Sequence, residues 1–214
     1  MKKILLLLIP VLFSFSLKGQ VAPVPTVNAK TIFESDKMVW YGLDFTKARM
    51  IGMSDESPSE IKESLFRQWN GVILEQPEKF AIGRFFRKVS VYKDPAVVEK
   101  RNNKVDTDGI MSYNEKEITK EDINAMIHDY ENGDKAEGLG LVFIVESFNK
   151  GAKLATVYIT FFDIASKRVL LAKRLSGKPG GFGMRNYWIN AIFNIMEKID
   201  EHEYKSWKDE FGGK

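Results

Sequence analysis

The chain has 214 residues, 44% of them hydrophobic, and no cysteine, so it can form an ordinary core but neither disulfides nor a thiolate site. Its 32 Lys and Arg residues exceed its 29 Asp and Glu residues, but residues 1–20 contain three lysines and no acid. The remainder is therefore neutral, which gives no electrostatic reason to expect nucleic acid or an anionic bilayer as a partner.

Residues 1–20 have the layout of a secretory signal peptide. Two lysines precede an apolar run over 4–15, which is too short for a comfortable membrane span, and small and polar residues follow. The pattern predicts export with cleavage near Gly19 or Gln20; a retained amino-terminal anchor is the alternative. Because cysteine is absent, the lipid-modified residue of a bacterial lipoprotein is excluded. We expect a periplasmic or secreted protein that is not lipid-anchored and has no transmembrane segment after signal removal.

The first half of the remaining chain alternates between strand-like and helix-like segments. Two nearby prolines predict an extended linker over 21–36, and aromatic and β-branched residues favour a strand over 37–51. A helix should begin near Pro58, and a second strand is predicted over 79–92. Residues 93–120 are charged and poorly periodic, and we interpret them as an insertion or excursion. The predicted helix carries one apolar stripe, formed by Ile61, Leu65, Trp69 and Val72.

Two further helices are predicted in the second half. The segment 119–133 opens with Thr119 followed by Asp122, which resembles a capping box, and closes on an Asn-Gly pair typical of a helix stop. The last helix should begin near Arg185. Its predicted core stripe consists of Trp188, Ile192, Ile195, Met196 and Ile199.

Three strand-like runs, 139–148, 154–164 and 168–176, lie between these helices and are joined by linkers short enough for hairpins. Their apolar residues fall on both faces, which predicts strands covered on both sides. The order β-α-β-(excursion)-α-β-β-β-α indicates an α/β (α+β) fold with a mixed sheet and helices packed on it. We expect a single domain over 37–214.

This order resembles a small periplasmic α/β module found in the amino-terminal domain of TolB, in curli-secretion lipoproteins and in lipoprotein activators of penicillin-binding proteins. The resemblance rests on "VWYGLDF" for the first strand, "IKESLFRQW" for the first helix and "YITFFDIASKRVLLAKRLSG" for a hairpin that leads to the last helix. It implies the fold of that module and a role in the cell envelope. The chain departs from the pattern in residues 93–120 and in its lack of a lipidation cysteine. Lipid anchoring and channel formation are therefore not implied.

The glycine-rich stretch "GKPGGFGMRNYW" at 177–188 stands where a nucleotide-binding loop would hold a phosphate. Such a loop needs Lys and Ser or Thr after its last glycine. Here Lys178 precedes the last three glycines, and no Ser or Thr follows them. We therefore predict that the glycines permit positive φ in a turn from strand to helix. Arg185 and Asn186 stay candidates for contact with a ligand or partner carboxylate or phosphate at the helix start.

A second stretch, "KVDTDGIMSYNE" at 104–115, partly matches a calcium-binding EF-hand loop. Its first ligand position holds Lys104, whose ammonium group would repel a cation. An Asp-Gly turn in a solvated loop is the simpler interpretation. The candidate metal ligands are Asp106, Asp108, Ser112 and Glu115.

No catalytic constellation stands out in the sequence. The two histidines, His128 and His202, lie in charged helical segments, and no paired-His metal motif occurs. The S-x-x-K pattern at 147–150 lies at a hairpin end and does not open a helix. Three of the four tryptophans fall on strands or apolar stripes, where core packing is favoured over a sugar platform.

The leading hypothesis is an exported, non-enzymatic interaction module of the bacterial cell envelope that binds another envelope protein and needs no cofactor. Contact would occur through an exposed sheet edge or through the loop around Arg185. The alternative is an exported protein that binds calcium or a small ligand with the 104–115 loop, and a hydrolase is third. The sequence identifies neither the partner nor the oligomeric state.

Overall fold

A seven-stranded mixed sheet forms the centre of the structure, a computed structural model that describes residues 28–53 and 55–213. The predicted signal peptide and most of the linker's proline-rich part therefore lie outside the described residues. The strands are β1 (Lys37–Asp44), β2 (Arg49–Ile51), β3 (Ser90–Lys93), β4 (Met111–Ser112), β5 (Leu139–Asn149), β6 (Leu154–Asp163) and β7 (Val169–Gly177).

Strand β5 organises the sheet. On one side, β1 pairs in parallel with its first half and β2 with its second half, and β3 and β4 lie outside them. On the other side, β6 pairs antiparallel with β5, and β7 pairs antiparallel with β6. All strands except β6 therefore run in one direction. We call the two ends of the sheet the amino edge and the carboxyl edge, after the ends of these six strands.

The predicted strand over 37–51 is divided into β1 and β2 by a bulge and a turn. The β1–β5 register shifts between Trp40 and Leu43, and Gly42 has a φ of 102°. Two buried amides take over the main-chain hydrogen bonds there. Asn70 Nδ2 and Asn102 Nδ2 donate to the carbonyl oxygen of Leu43 over 3.1 and 3.0 Å. The chain can therefore leave the ladder without burying unpaired polar groups.

Eight α-helical segments surround the sheet within the described residues. Two π-helical turns, Ile61–Leu65 and Ile199–Glu203, join α2 to α3 and α7 to α8 without a break. The helices are α1 (Lys30–Glu34), α2 (Pro58–Glu60), α3 (Phe66–Glu75), α4 (Ile82–Phe85), α5 (Ala96–Asn102), α6 (Lys120–His128), α7 (Met184–Lys198) and α8 (Tyr204–Phe211).

The helices cover both faces of the sheet and form two cores. The first core contains residues of α1, α3, α4, α7 and α8, and the second contains residues of α5 and α6. This arrangement confirms the α/β fold with helices packed on a mixed sheet. The predicted apolar stripes of α3 and α7 are buried in the first core. All four tryptophans are at most 2% exposed, so none forms a surface platform.

Three predictions about the first half are wrong. The linker contains helix α1, and the strand predicted over 79–92 is replaced by α4 and the short β3. The apolar residues of that stretch include Ile82, Phe85 and Phe86, whose i, i+3, i+4 spacing buries them from a helical turn. The excursion predicted over 93–120 is part of the fold, since it forms α5 and β4 and buries Val98.

The second half follows the prediction closely. Helix α6 begins after Thr119, whose side chain and that of Asp122 form a reciprocal capping box. It ends at His128, before the predicted Asn-Gly stop. Strands β5, β6 and β7 form the predicted hairpins, and α7 begins at Met184, one residue before the expected start. None of the described helices combines the length and hydropathy needed to span a bilayer.

Candidate functional site

A cavity of about 1140 Å³ lies at the amino edge of the sheet. Its floor consists of Met38, Val39 and Leu139, all of which are at most 6% exposed. We call it the amino-edge groove. Its polar and charged lining is formed by Ser35, Lys37, Ser90, Tyr92, Lys135, Glu137, Asp163, Ser166 and Arg168.

Strand register sets the base of the groove. Lys37 of β1 is paired with Ser90 of β3, and Val39 with Tyr92. Because side chains alternate along a strand, Lys37 and Val39 lie on the same face of β1. Val39 belongs to the second core, whereas Met38 and Leu139 belong to the first, so the groove lies across the end of the sheet and not on one face.

One wall is the segment 134–138, which is held against β3. The Tyr92 hydroxyl donates to Asp134 Oδ2 over 2.6 Å, and this bond raises the pKa of Tyr92. The buried carboxylate of Asp94 accepts from the Asp134 amide over 2.8 Å. The Lys135 ammonium lies 4.5 Å from the centroid of the Tyr92 ring, within cation–π range. The wall is thereby fixed by three different contacts.

The opposite wall is the turn between β6 and β7. Asp163 Oδ1 accepts from the Ser166 amide over 2.9 Å and from the Ser166 hydroxyl over 2.5 Å. The Asp163 amide donates to the carbonyl oxygen of Arg168 over 2.9 Å. Lys167 adopts a φ of 56° at the tip of this turn. The Asp163 carboxylate is therefore engaged in holding the turn.

The other charges in the groove are available. Lys37, Glu137 and Arg168 are exposed, and none of them forms a side-chain hydrogen bond or ion pair with another described residue. The Tyr92 side chain, which also lines the groove, is 40% exposed. The groove thus combines an apolar floor with unpaired charge and exposed apolar surface.

Three hydroxyl groups of the groove are used in contacts within the chain. Two of them lie close to a carboxylate: that of Tyr92 donates to Asp134, and that of Ser166 donates to Asp163, which already holds a turn. Neither histidine lines the groove, and the side chains of His128 and His202 are 83% and 80% exposed elsewhere. An acid, a base and a nucleophile are not brought together there.

The structure places Arg185 and Asn186 away from this groove. Arg185 Nη2 donates to Glu75 Oε2 over 2.9 Å, which joins the start of α7 to the end of α3. Asn186 Nδ2 donates to the carbonyl oxygen of Phe182 over 3.3 Å. Both side chains predicted to contact a ligand or partner are therefore used in contacts within the chain.

The glycine-rich loop lies along α7. Three asparagines spaced four residues apart, Asn186, Asn190 and Asn194, donate to the carbonyl oxygens of Phe182, Gly180 and Lys178. We call this arrangement the asparagine ladder, and the segment 178–182 the strap. Its geometry agrees with the predicted strand-to-helix turn, since Gly181 and Gly183 have φ values of 94° and 78°.

Three of the four candidate metal ligands use their side chains in contacts within the chain, and the fourth, Asp108, takes part through its backbone amide. The Asp106 side chain accepts from the amide of Asp108 over 3.1 Å and caps a 3₁₀ turn. The Ser112 hydroxyl donates to a nearby carbonyl oxygen, and Glu115 accepts from Asn149 over 3.0 Å. No three Asp, Glu or His side chains in the described part of the chain converge in a way that could hold a metal ion.

An arginine also lies against this loop. Arg49 Nη1 donates to the carbonyl oxygen of Gly109, the residue in the sharp-turn position of the EF-hand pattern. A guanidinium group there adds positive charge beside the oxygen atoms that a calcium ion would need. The contact favours the interpretation of 104–115 as a turn tied to β2.

Sequence reasoning missed a buried polar cluster at the carboxyl end of β1. Asp44 is fully buried, accepts from the Tyr130 hydroxyl over 2.7 Å and lies 3.4 Å from Arg101 Nε. Burial, followed by the Asp44 charge, raises the pKa of Tyr130 well above its usual value, so the phenol stays a donor. The cluster joins β1 to α5 and α6. We interpret it as structural because Asp44 and Tyr130 are closed off from solvent.

A second buried acid, Glu146 of β5, lies on the same face of the sheet as Asp44. Arg174 of β7 donates to Glu146 Oε1 through Nε over 3.1 Å and through Nη2 over 2.5 Å. Glu146 Oε2 also accepts from the amide of Ile118, just before α6. An isolated glutamate inside an apolar strand was the signal available in the sequence. It indicates a paired buried charge rather than a free catalytic acid.

No family model, no curated protein and no solved structure matches this chain. The resemblance to the TolB and curli-secretion modules therefore stays a prediction.

Proposed function

We propose that this chain is an exported binding module of the bacterial cell envelope, which holds a partner protein in the amino-edge groove and catalyses no reaction. The observation that carries this proposal is the coincidence of features at the groove. An apolar floor, the unpaired charges of Lys37 and Arg168, and the exposed side chain of Tyr92 meet at one place. Exposed apolar surface with a polar rim is typical of interaction sites.

The other candidate contact surfaces are weaker. Strand β7 pairs with β6 alone, so its outer side is an open sheet edge. Its Arg174 reaches back across the sheet to Glu146, and its Lys173 is paired with Glu210. Charged side chains on an edge strand discourage the addition of another strand. The loop around Arg185 is already bonded to Glu75.

The expected location rests on the sequence. The signal-peptide pattern over 1–20 favours export, and the resemblance to envelope modules agrees with it. An exported module without cysteine depends on its cores for stability, and the two cores on either side of the sheet supply this. The absence of a basic excess after the signal favours a protein partner over nucleic acid.

Site-specific photocrosslinking in the producing cell tests the proposal. A photoreactive amino acid is placed at Ser90 or Ala165, two exposed groove positions, and at Lys205 on α8 as a matched exposed control. We expect both groove positions, but not Lys205, to crosslink to the same polypeptide. Charge reversal of Lys37 and Arg168 together should abolish these crosslinks. Identical crosslinking from all three positions, or none from the groove, would contradict the proposal.

A further inference from the structure

We infer that the groove recognises an extended, acidic segment of its partner, with apolar residues between the acids. This inference rests on the proposed function and specifies the chemistry of the partner. Three kinds of observation support it: the charges in the groove and their pairing, the width of the groove, and the apolar and aromatic side chains that line it.

The charges favour an acidic occupant. The lining contains the cations Lys37, Lys135 and Arg168 against the acids Glu137 and Asp163. The Asp163 carboxylate already accepts two hydrogen bonds from Ser166, so it is the less available of the two acids. Lys37 and Arg168 have no such partner among the described residues. A carboxylate beside either of them would gain a charge-assisted hydrogen bond without displacing an existing pair.

The width of the groove favours an extended chain. Its lining spans the first residues of β3, β1 and β5 and the end of β6, which are successive neighbours in the sheet. Neighbouring strands lie about 4.8 Å apart, so the groove is roughly 14 Å wide. An extended segment rises about 3.3 Å per residue, and roughly four residues would cross it.

The apolar floor and the exposed Tyr92 ring favour apolar residues between the acids of the partner segment. Met38, Val39 and Leu139 are almost fully buried and offer only a narrow apolar contact, against which Val, Leu or Ile can pack. Tyr92, fixed by Asp134 and covered by Lys135, adds an aromatic face. The alternation of side chains in an extended peptide directs acids and apolar residues to opposite sides, as a cationic rim and an apolar floor require.

Fluorescence anisotropy with labelled synthetic peptides tests this inference on the purified mature chain. The probes are ten-residue peptides that alternate Glu with Val, and a matched series that alternates Lys with Val. We expect the acidic peptide to bind with a Kd at least about tenfold lower than the basic one. Its affinity should fall as salt is raised, because salt screens exposed charges.

Variants locate the binding site. Lys37→Glu with Arg168→Glu should weaken binding of the acidic peptide by at least about tenfold, and the neutral pair Lys37→Gln with Arg168→Gln should weaken it less. The control Lys205→Glu with Lys208→Glu makes the same change in net charge on α8, away from the groove. It should leave the affinity within about twofold. Circular dichroism verifies that each variant is folded.

Several results would overturn the inference. Equal binding of acidic and basic peptides would remove its charge argument, and equal loss in the α8 control would remove the groove as the site. Competition by phosphatidylserine vesicles for the acidic peptide would assign the surface to a lipid. Groove-specific crosslinks to a partner without acidic-peptide binding would refute this inference and leave the proposed function standing. Absence of both crosslinks and peptide binding would refute both.

Discussion

Trp188 of α7 stacks face to face on Phe148 of β5, with ring centroids 4.7 Å apart and ring planes 6° apart. Both side chains are fully buried, and the pair joins the last long helix to the central strand. Replacement of Trp188 by alanine removes this contact and leaves a cavity. We expect a loss of about 3–5 kcal/mol in the free energy of unfolding, measured by urea denaturation.

Phe182→Ala is the matched control for that experiment, because the Phe182 side chain is 95% exposed. Its unfolding free energy should change by less than about 0.5 kcal/mol. A loss below about 1 kcal/mol in Trp188→Ala would contradict the buried position of the indole.

The strap offers a test of glycine geometry. Gly181 has a φ of 94°, and an added Cβ would lie 2.9 Å from Asn190 Nδ2. Gly180 has no positive φ and open space around it. Gly181→Ala should therefore lower the unfolding free energy by about 1–2 kcal/mol, whereas Gly180→Ala should be neutral or slightly stabilising. Thermal denaturation of the two variants side by side measures the difference, and equal effects would exclude this explanation.

Nucleotide binding is a separate test of the same loop. Lys178 precedes the strap glycines, and its carbonyl oxygen accepts from Asn194. Arg185 is engaged by Glu75, so a phosphate would have to break an ion pair. We expect no specific binding of ATP, GTP or a dinucleotide at about millimolar concentration in isothermal titration with magnesium. Saturable binding at micromolar affinity that is lost in Arg185→Ala would contradict the interpretation that the glycines serve only the geometry of the turn.

The buried Lys88 should make the free energy of unfolding depend on pH in the alkaline range. Its ammonium is buried and donates to the carbonyl oxygens of Ile32 and Ser35, and burial lowers its pKa to about 8. An unfolded lysine has a pKa of about 10.4. Between these values the unfolded state binds more protons, so the contribution of Lys88 to stability should rise with pH. It should be fully present above the unfolded pKa and lost as the pH falls through about 8.

The measurement is the difference in unfolding free energy between the wild type and Lys88→Met at several pH values. That difference should move in favour of the wild type from about pH 7 to pH 10. The comparison matters because burial raises the pKa of Tyr158 to about 12, which removes stability above about pH 10 in both proteins. Lys205→Met, an exposed control, should show no such trend. A flat difference for Lys88→Met would contradict the prediction.

If the chain is exported through its signal-like segment, that segment should be removed from the mature protein. The signal-like pattern places the cleavage near Gly19 or Gln20, so exported protein should begin near Gln20 or Val21. Intact-mass measurement of the secreted or periplasmic fraction checks this. Exported protein that still carries residues 1–15 would support the retained anchor instead.

The parts of the fold that sequence reasoning recovered are those determined locally. Strands β5, β6 and β7 carry their own alternation and short turns, and α7 carries its own stripe. The end of β1 depends on distant residues, because Asn70 and Asn102 supply its hydrogen bonds from 27 and 59 positions away. No pattern near Leu43 announces them. The residues before β3 include aromatic side chains that favour a strand, but the buried ones, Ile82, Phe85 and Phe86, have helical spacing.

The groove escaped prediction for a related reason. Its lining comes from four separate stretches of the chain, around residues 37, 90, 137 and 166, which only the sheet brings together. Arg185 shows the opposite error. It stood out in the sequence as a free cation at a helix start, yet its partner Glu75 lies 110 positions away. Pairing across such distances decides which charges stay available.

The asparagine ladder makes the connection between β7 and α7 rigid, so it is unsuited to act as a hinge. Each rung, from Asn186 to Asn194, lies about one helical turn from the next, so the strap cannot slide along the helix without breaking all three hydrogen bonds together. Gly177 tightens this arrangement further, since even an added methyl group would meet the Ala191 carbonyl oxygen at 2.2 Å. The edge strand and the helix that covers it therefore move as one body, and a load applied to β7 is carried directly into the first core.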